Sequence, residues 1–209
     1  MTEHGTSEAT RTPLANASGD PFLRPIEDPA DPVLKEAYAK YREWLGRVVT
    51  PIKVHSSRLP PAFFQFYQNA GELDRQLVVP ADLARLIRYR VAMLNDCEFC
   101  MDASRATLTA AGVDPRKVDE VEHYGAGPHF SEKERAALDY AMEMTQKKQV
   151  ERKTFDRLAQ HFSEREICEI VYLVASEHLN NLTNRGLNIG SDGMCERLGT
   201  QKPATPATA

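Results

Sequence analysis

Apolar side chains recur every three or four positions through almost the whole interior of this chain, and runs alternating with a period of two are nearly absent. Such a pattern gives helices one face to bury and supplies little from which to build a sheet. The expected fold class is therefore all-α, a bundle of about six to eight helices.

Local punctuation locates the elements. Asp31-Pro32 sets an N-cap acid before a proline in the first turn and predicts a helix to about Leu45, with Leu34, Ala37, Tyr38 and Tyr41 on one face. A proline-broken connector, TPIKVHSSRLPP, leads to a second helix from about Pro61 to Gln76, whose Phe63, Phe64, Phe66 and Tyr67 read as a core-facing aromatic surface. A third opens near Pro80-Ala81-Asp82 and runs to about Leu94 on a stripe of Leu83, Leu86, Ile87, Val91 and Leu94. Asn95-Asp96 should break it and cap a fourth, which carries Cys97, Cys100, Ala103, Leu108 and Ala111 to a stop at Gly112. Two capping boxes, Ser131 with Glu134 and Ser163 with Glu166, open helices over AALDYAMEMTQ and ICEIVYLVASEHLNNL. Shorter helices are expected over Asp114–Val121 and Lys153–Phe162.

At 209 residues the chain suits one well-cored domain, expected over residues 21–199. Residues 1–20 are rich in Thr, Ser, Ala and Gly, and residues 200–209 end in QKPATPATA, so both are expected to be solvated tails. A formal net charge of -4 leaves no basic footprint for nucleic acid. No apolar run has the length of a membrane span, and the first residues lack the order of a signal peptide, so a cytoplasmic protein is expected.

Chemistry concentrates in Cys97-Glu98-Phe99-Cys100. Positions i and i+3 share a helical face with Cβ atoms about 5–6 Å apart, within reach of a disulfide. A helix N-terminus also lowers a thiol pKa from its ordinary value of about 8.5, and a second thiol nearby can resolve a sulfenic acid or mixed disulfide. Two other readings stand beside this one. The cysteines could be small buried hydrophobes, or a zinc half-site completed from Cys168, Cys195, His123 and His178, although these are scattered singly. Glu120 and His123 have Glu-x-x-His spacing, but the further pair a di-metal bundle needs is missing. No glycine-rich phosphate loop or nucleophile-elbow serine is present, and no cofactor or metal is expected. Glu98 reads as a solvated carboxylate or a local proton acceptor between the cysteines, Tyr89 as site or core, and His178 beside Glu177 as a packing histidine or a proton donor.

The stretch ADLARLIRYRVAMLNDCEFCMDASRATLTAAGVDPRKVDEV resembles the carboxymuconolactone decarboxylase superfamily, in its alkylhydroperoxidase D-like (AhpD-like) branch. Flanking segments extend the resemblance over roughly residues 30–192. It implies an AhpD-like homo-oligomer, trimeric or hexameric, with a redox dithiol in which Cys100 attacks a peroxide or disulfide and Cys97 resolves. A helix-dipole argument taken alone favours Cys97 as the attacking thiol. The family pattern Glu-x11-Cys-x-x-Cys-x-x-x-His is broken here, because Arg85 and Ser104 occupy the Glu and His positions. Ser104 shares the face of the thiols and can orient but not titrate near neutrality. Arg85, if brought near, would favour the thiolate electrostatically, and otherwise is a surface or ion-paired arginine.

The leading expectation is thus a peroxidase or disulfide oxidoreductase acting with a small-molecule peroxide and a thiol reductant protein. A lyase acting on a small carboxylated substrate held by Arg85, and a redox-sensing or ligand-binding protein without turnover, are the alternatives.

Overall fold

The structure, a computed structural model, describes residues 19–198. Ten α-helices and no strand are found among them. They are α1 (Pro32–Leu45), α2 (Thr50–Val54), α3 (Ala62–Arg75), α4 (Ala81–Leu94), α5 (Glu98–Ala110), α6 (Pro115–Glu120), α7 (Glu132–Lys147), α8 (Arg152–Ala159), α9 (Glu164–Gly186) and α10 (Met194–Leu198). Short 3-10 turns follow α2 and α6.

The count exceeds the six to eight expected because α2 and α10 each span five residues. Segments that short carry too few positions to display a helical period, and the prolines around α2 disguise it further. The longer helices begin where their caps indicate. Asp31 accepts from the backbone N–H of Val33 and Leu34, and both capping boxes are formed in full at Ser131 and Ser163. Gly112 adopts φ +71° just beyond α5, the left-handed geometry that ends a helix without cost to glycine.

Helix α4 is the centre of the bundle. It buries residues on nearly every side, from Leu83 through Ala92, and packs against α5, α7 and α9. Around it lies the main core, in which Leu86, Ile87, Leu108, Leu138, Leu158 and Ile170 are fully enclosed. The buried Glu169 carboxylate on α9 accepts from the N–H groups of Val78 and Val79, fixing the entry to α4.

A smaller cluster of Tyr38, Val48, Val49 and Ile52, with Phe64 and Phe99 against it, joins α1 and α2 to the mouth of α5. The segment before α10 ties these pieces together. Asp192 accepts from the Thr50 backbone and hydroxyl at 2.8 and 2.7 Å, while Asp102 on α5 accepts from the N–H groups of Met194 and Cys195 at 2.7 Å. The chain's last described turn therefore holds α2 in register with α5.

One expectation is corrected. The aromatic surface of α3 is only partly core: no residue of that helix is fully buried, Phe64 packs against the smaller cluster, and Phe66 is 48% exposed. Phe63, Phe66 and Tyr67 pack on one another with ring centroids 4.9–6.1 Å apart, while α3 itself lies at the periphery of the bundle. Aromatic spacing alone does not distinguish a face turned to the core from one turned outward. At the N-terminal side, Asn188 donates to the carbonyls of Gly19 and Asp20, the last two residues of the expected tail. The rest of the two expected tails, residues 1–18 and 200–209, lies outside the described residues, as does Gly199. No helix among the described residues is long and apolar enough to cross a membrane.

Truncating the central helix should be costly. Leu86→Ala, at a fully enclosed position, is expected to lower unfolding free energy by about 2–5 kcal/mol in urea titrations. A loss below about 1 kcal/mol would contradict the central place given to α4.

Candidate functional site

Cys97 and Cys100 are joined in a disulfide, with Cα atoms 5.2 Å apart. The turn that presents them differs from expectation. Asn95 ends α4, Asp96 takes φ 49°, and Cys97 itself is the N-cap of α5, its sulfur accepting from the Cys100 N–H at 3.4 Å. Asn95-Asp96 thus forms the break, and the cap falls to the cysteine.

The two sulfurs are not equivalent. Cys97 is fully buried among Ala92, Phe99 and Met101, whereas Cys100, 5% exposed, lines a cavity of about 230 Å³. Tyr41, Tyr67 and Phe99 give that cavity apolar walls, and Ser104, Asn180 and Asn184 give it polar ones. His55, at the end of α2, and Glu177, on α9, also reach it.

Helix α9 supplies most of the polar side. Its buried stripe runs Ile167, Ile170, Leu173 and Val174, then continues as Glu177, Asn181 and Asn184 at the same helical spacing. Where the stripe leaves the hydrocarbon core it meets the dithiol. Asn184 Nδ2 donates to Cys100 Sγ at 3.4 Å and lies 3.9 Å from Cys97 Sγ. Asn181 Nδ2 donates to Glu177 Oε1 at 2.6 Å, and its Oδ1 accepts from Asn95 at 2.8 Å. Arg185 donates to the Asp96 carbonyl at 2.8 Å, so α9 grips the turn that carries the cysteines.

Burial sets the protonation of the lining groups. Desolvation pushes the Glu177 carboxyl up from the ordinary carboxylate range, while Arg88, 3.6 Å from Oε2, and the Asn181 amide pull the other way. Desolvation lowers the proton affinity of the His55 imidazole and raises the Tyr41 and Tyr67 phenols. Tyr67 donates to Asn180 Oδ1 at 3.1 Å.

Of the residues singled out from sequence, Cys97, Cys100 and Ser104 come together at one site. Arg85 does not join them. It forms a surface ion pair with Asp82 one turn earlier on α4, at 3.4 Å, and is absent from the cavity lining. At position 85 the α4 helix points its side chain outward, with Leu86 and Ile87 taking the buried face. Glu98 is half-buried beside Gly190, and Tyr89 is core, accepting from Arg105. His178 is held between Asn95 and the Thr145 hydroxyl at 3.3 Å each, and Glu120 lies 3.6 Å from His129. Among the described residues no three or more His, Cys, Asp or Glu side chains gather as a metal site.

Sequence reasoning missed His55, Asn180 and Asn184, and treated Glu177 only as a neighbour of His178. For Glu177 and Asn184 a signal existed, since polar side chains occupy the stripe that Ile167–Val174 define as buried. None existed for His55, because α2 is too short to reveal which way it faces.

Residues 61–143 match the model of the carboxymuconolactone decarboxylase family. The chain is 29% identical over 161 residues to the uncharacterized protein YnjA of Escherichia coli K12, covering 74% of this chain and 86% of that one. Its fold matches an AhpD-core, peroxidase-related protein of Ralstonia eutropha JMP134 with a TM-score of 0.73 at 18% identity, over 88% of this chain and all of that one. It also matches the debrominase Bmp8, in complex with 2,3,4-tribromopyrrole, with a TM-score of 0.72 at 18% identity, over 84% of this chain and 94% of that one.

The unequal access has a direct consequence. In reduced protein, Cys100 is expected to be alkylated by iodoacetamide at least about tenfold faster than Cys97, read by peptide mass spectrometry. Equal rates, or faster Cys97, would contradict the geometry.

Proposed function

We propose that this chain is a thiol-dependent oxidoreductase that reduces a small peroxide or a partner's disulfide, a reading supported by the match of residues 61–143 to the carboxymuconolactone decarboxylase family model and by its AhpD-like fold. The observation that carries this reading is a bonded Cys97–Cys100 pair of which one sulfur, Cys100, opens on a cavity and the other is sealed behind it.

The steps follow from that asymmetry. The Cys100 thiolate attacks a peroxide oxygen, the S–O bond forms as O–O breaks, and the departing alkoxide takes a proton to become an alcohol. Cys97 then attacks the sulfenic sulfur, water leaves, and the disulfide is regenerated. A dithiol reductant, by exchange through a mixed disulfide at Cys100, returns both thiols. Asn184, donating to Cys100 Sγ, would stabilise the thiolate, and Ser104 would orient the bound oxygen. The half-buried walls of Tyr41, Tyr67 and Phe99 suit a small organic peroxide.

Those aromatic walls also favour a second substrate class. A planar halogenated ring could give up its halogen to Cys100, with the ring carbon taking a proton and Cys97 displacing halide to form the same disulfide. The Bmp8 likeness supports asking this question. The lyase reading loses its anchor, since neither Arg85 nor any other arginine or lysine lines the cavity.

Homo-oligomeric assembly belongs to the same proposal. Trp44 on α1, Phe66 on α3 and Leu182 on α9 are 75%, 48% and 68% exposed, apolar surface that a second copy could cover. Cytoplasmic residence would keep a thiol reductant at hand.

Substitution separates the two sulfurs. Cys100→Ser is expected to abolish peroxide-dependent consumption of dithiothreitol. Cys97→Ser, given peroxide in the absence of dithiothreitol, should perform one turnover and stop as a Cys100 sulfenic acid, trapped by dimedone. Undiminished turnover in either variant would remove the dithiol mechanism.

A further inference from the structure

We propose that His55 and Glu177 are the proton-transfer pair serving Cys100, standing in from α2 and α9 for the groups missing at positions 85 and 104. The inference rests on the thiol-redox reading of the site and goes beyond it by naming where the protons go.

The attack needs a base to take the thiol proton and an acid to protonate the departing oxygen. The cavity leaves few choices. Its titratable lining consists of Tyr41 from α1, His55 from α2, Tyr67 from α3, Cys100 from α5 and Glu177 from α9. Burial raises both phenols, so they stay protonated near neutrality and make poor bases. Ser104 does not titrate there, and Arg85 is paired with Asp82 elsewhere. His55 and Glu177 remain.

Their environments push them into complementary states. His55 packs edge-on against Phe63 with centroids 4.8 Å apart, and burial keeps its imidazole neutral and able to accept. Its nearest charged neighbours along the chain are engaged, Lys53 with Glu27 and Arg58 with the Val54 carbonyl. Glu177 is 5% exposed, and burial favours its protonated form, able to donate. Arg88 from α4 opposes this from 3.6 Å, but also contacts Asp74 at 2.9 Å. A pair of groups shifted apart by burial, lining the same cavity as the Cys100 thiol, is what acid and base assignments look for.

The protons balance. Cys100 gives its proton to His55 as sulfur attacks, and Glu177 protonates the leaving alkoxide. The Cys97 thiol then gives its proton to the Glu177 carboxylate and attacks the sulfenic sulfur. The hydroxide that leaves takes the proton from His55 as water. Two thiols and one peroxide become a disulfide, an alcohol and water, with both groups restored.

The test uses full-length protein carrying Cys168→Ser and Cys195→Ser, so that only the dithiol reports. Iodoacetamide alkylation of reduced Cys100 is followed against pH, and single-turnover oxidation is followed with cumene hydroperoxide and with an aromatic disulfide, whose leaving thiolate needs no proton. His55→Gln is expected to raise the apparent Cys100 pKa by about one unit or more. Glu177→Gln is expected to slow oxidation by the hydroperoxide at least about tenfold more than oxidation by the aromatic disulfide. An unmoved pH profile in His55→Gln, or equal loss of both oxidations in Glu177→Gln, would overturn the pair. If the parent ignores the hydroperoxide, the peroxide reading fails by itself, and the alkylation profile still decides the role of His55. Should His55→Gln not fold, NMR titration of His55 in otherwise intact protein replaces it. Its pKa should differ between dithiol and disulfide forms, and identical values would overturn the proposal.

Discussion

The site depends on a grip between one long helix and one tight turn. Along α9 the buried stripe changes from Val174 to Glu177, Asn181 and Asn184 without leaving the interior, so these polar groups must find partners within the protein. They find them at the α4–α5 junction. Asn181 meets Asn95, Asn184 meets the Cys100 sulfur, and Arg185 meets the carbonyl of Asp96. Leaving such a buried group unpaired costs about 1–3 kcal/mol, so the turn is held in the one conformation that satisfies all of them. Both cysteines inherit their positions from it.

In the proposed mechanism, that placement favours Cys100 as the attacking thiol. The end of a helix stabilises an anion by about 0.3–1 kcal/mol, and this term alone favours the N-cap thiol, Cys97. Complete desolvation disfavours a thiolate by up to several pKa units, each unit being about 1.4 kcal/mol, and Cys97 is the fully enclosed sulfur. Burial and access therefore outweigh the dipole. Cys100 lines the cavity and accepts an amide N–H from Asn184, while Cys97 is bonded to it from the enclosed side, the position the proposed mechanism gives to the resolving thiol.

Much of the scaffold is legible in the sequence because it is written in local chemistry. Capping boxes at Ser131 and Ser163, the Asp31-Pro32 start and the Gly112 stop each act within a few residues, and each is found in place. The dithiol is legible for the same reason, since four consecutive residues bring both sulfurs to one turn. The rest of the site is assembled over long sequence distances. His55 reaches it from the end of α2, whose start is tied to Asp192 across 142 positions, a contact that no local pattern encodes. Arg85 illustrates the converse, as its position relative to the cysteines suggested proximity whereas α4 turns its side chain outward to Asp82. The α3 aromatics likewise carry the spacing of a core face, yet Phe64 and Tyr67 turn inward while Phe66 is exposed.

The central claim is that Cys97 and Cys100 act as one redox unit entered through Cys100. Peptide mass spectrometry of reduced protein after one equivalent of hydroperoxide tests it most directly. The account expects the peptide holding both cysteines to lose two hydrogens, with Cys168 and Cys195 unchanged. Oxidation confined to Cys168 or Cys195, with the Cys97–Cys100 peptide still fully reduced, would contradict it.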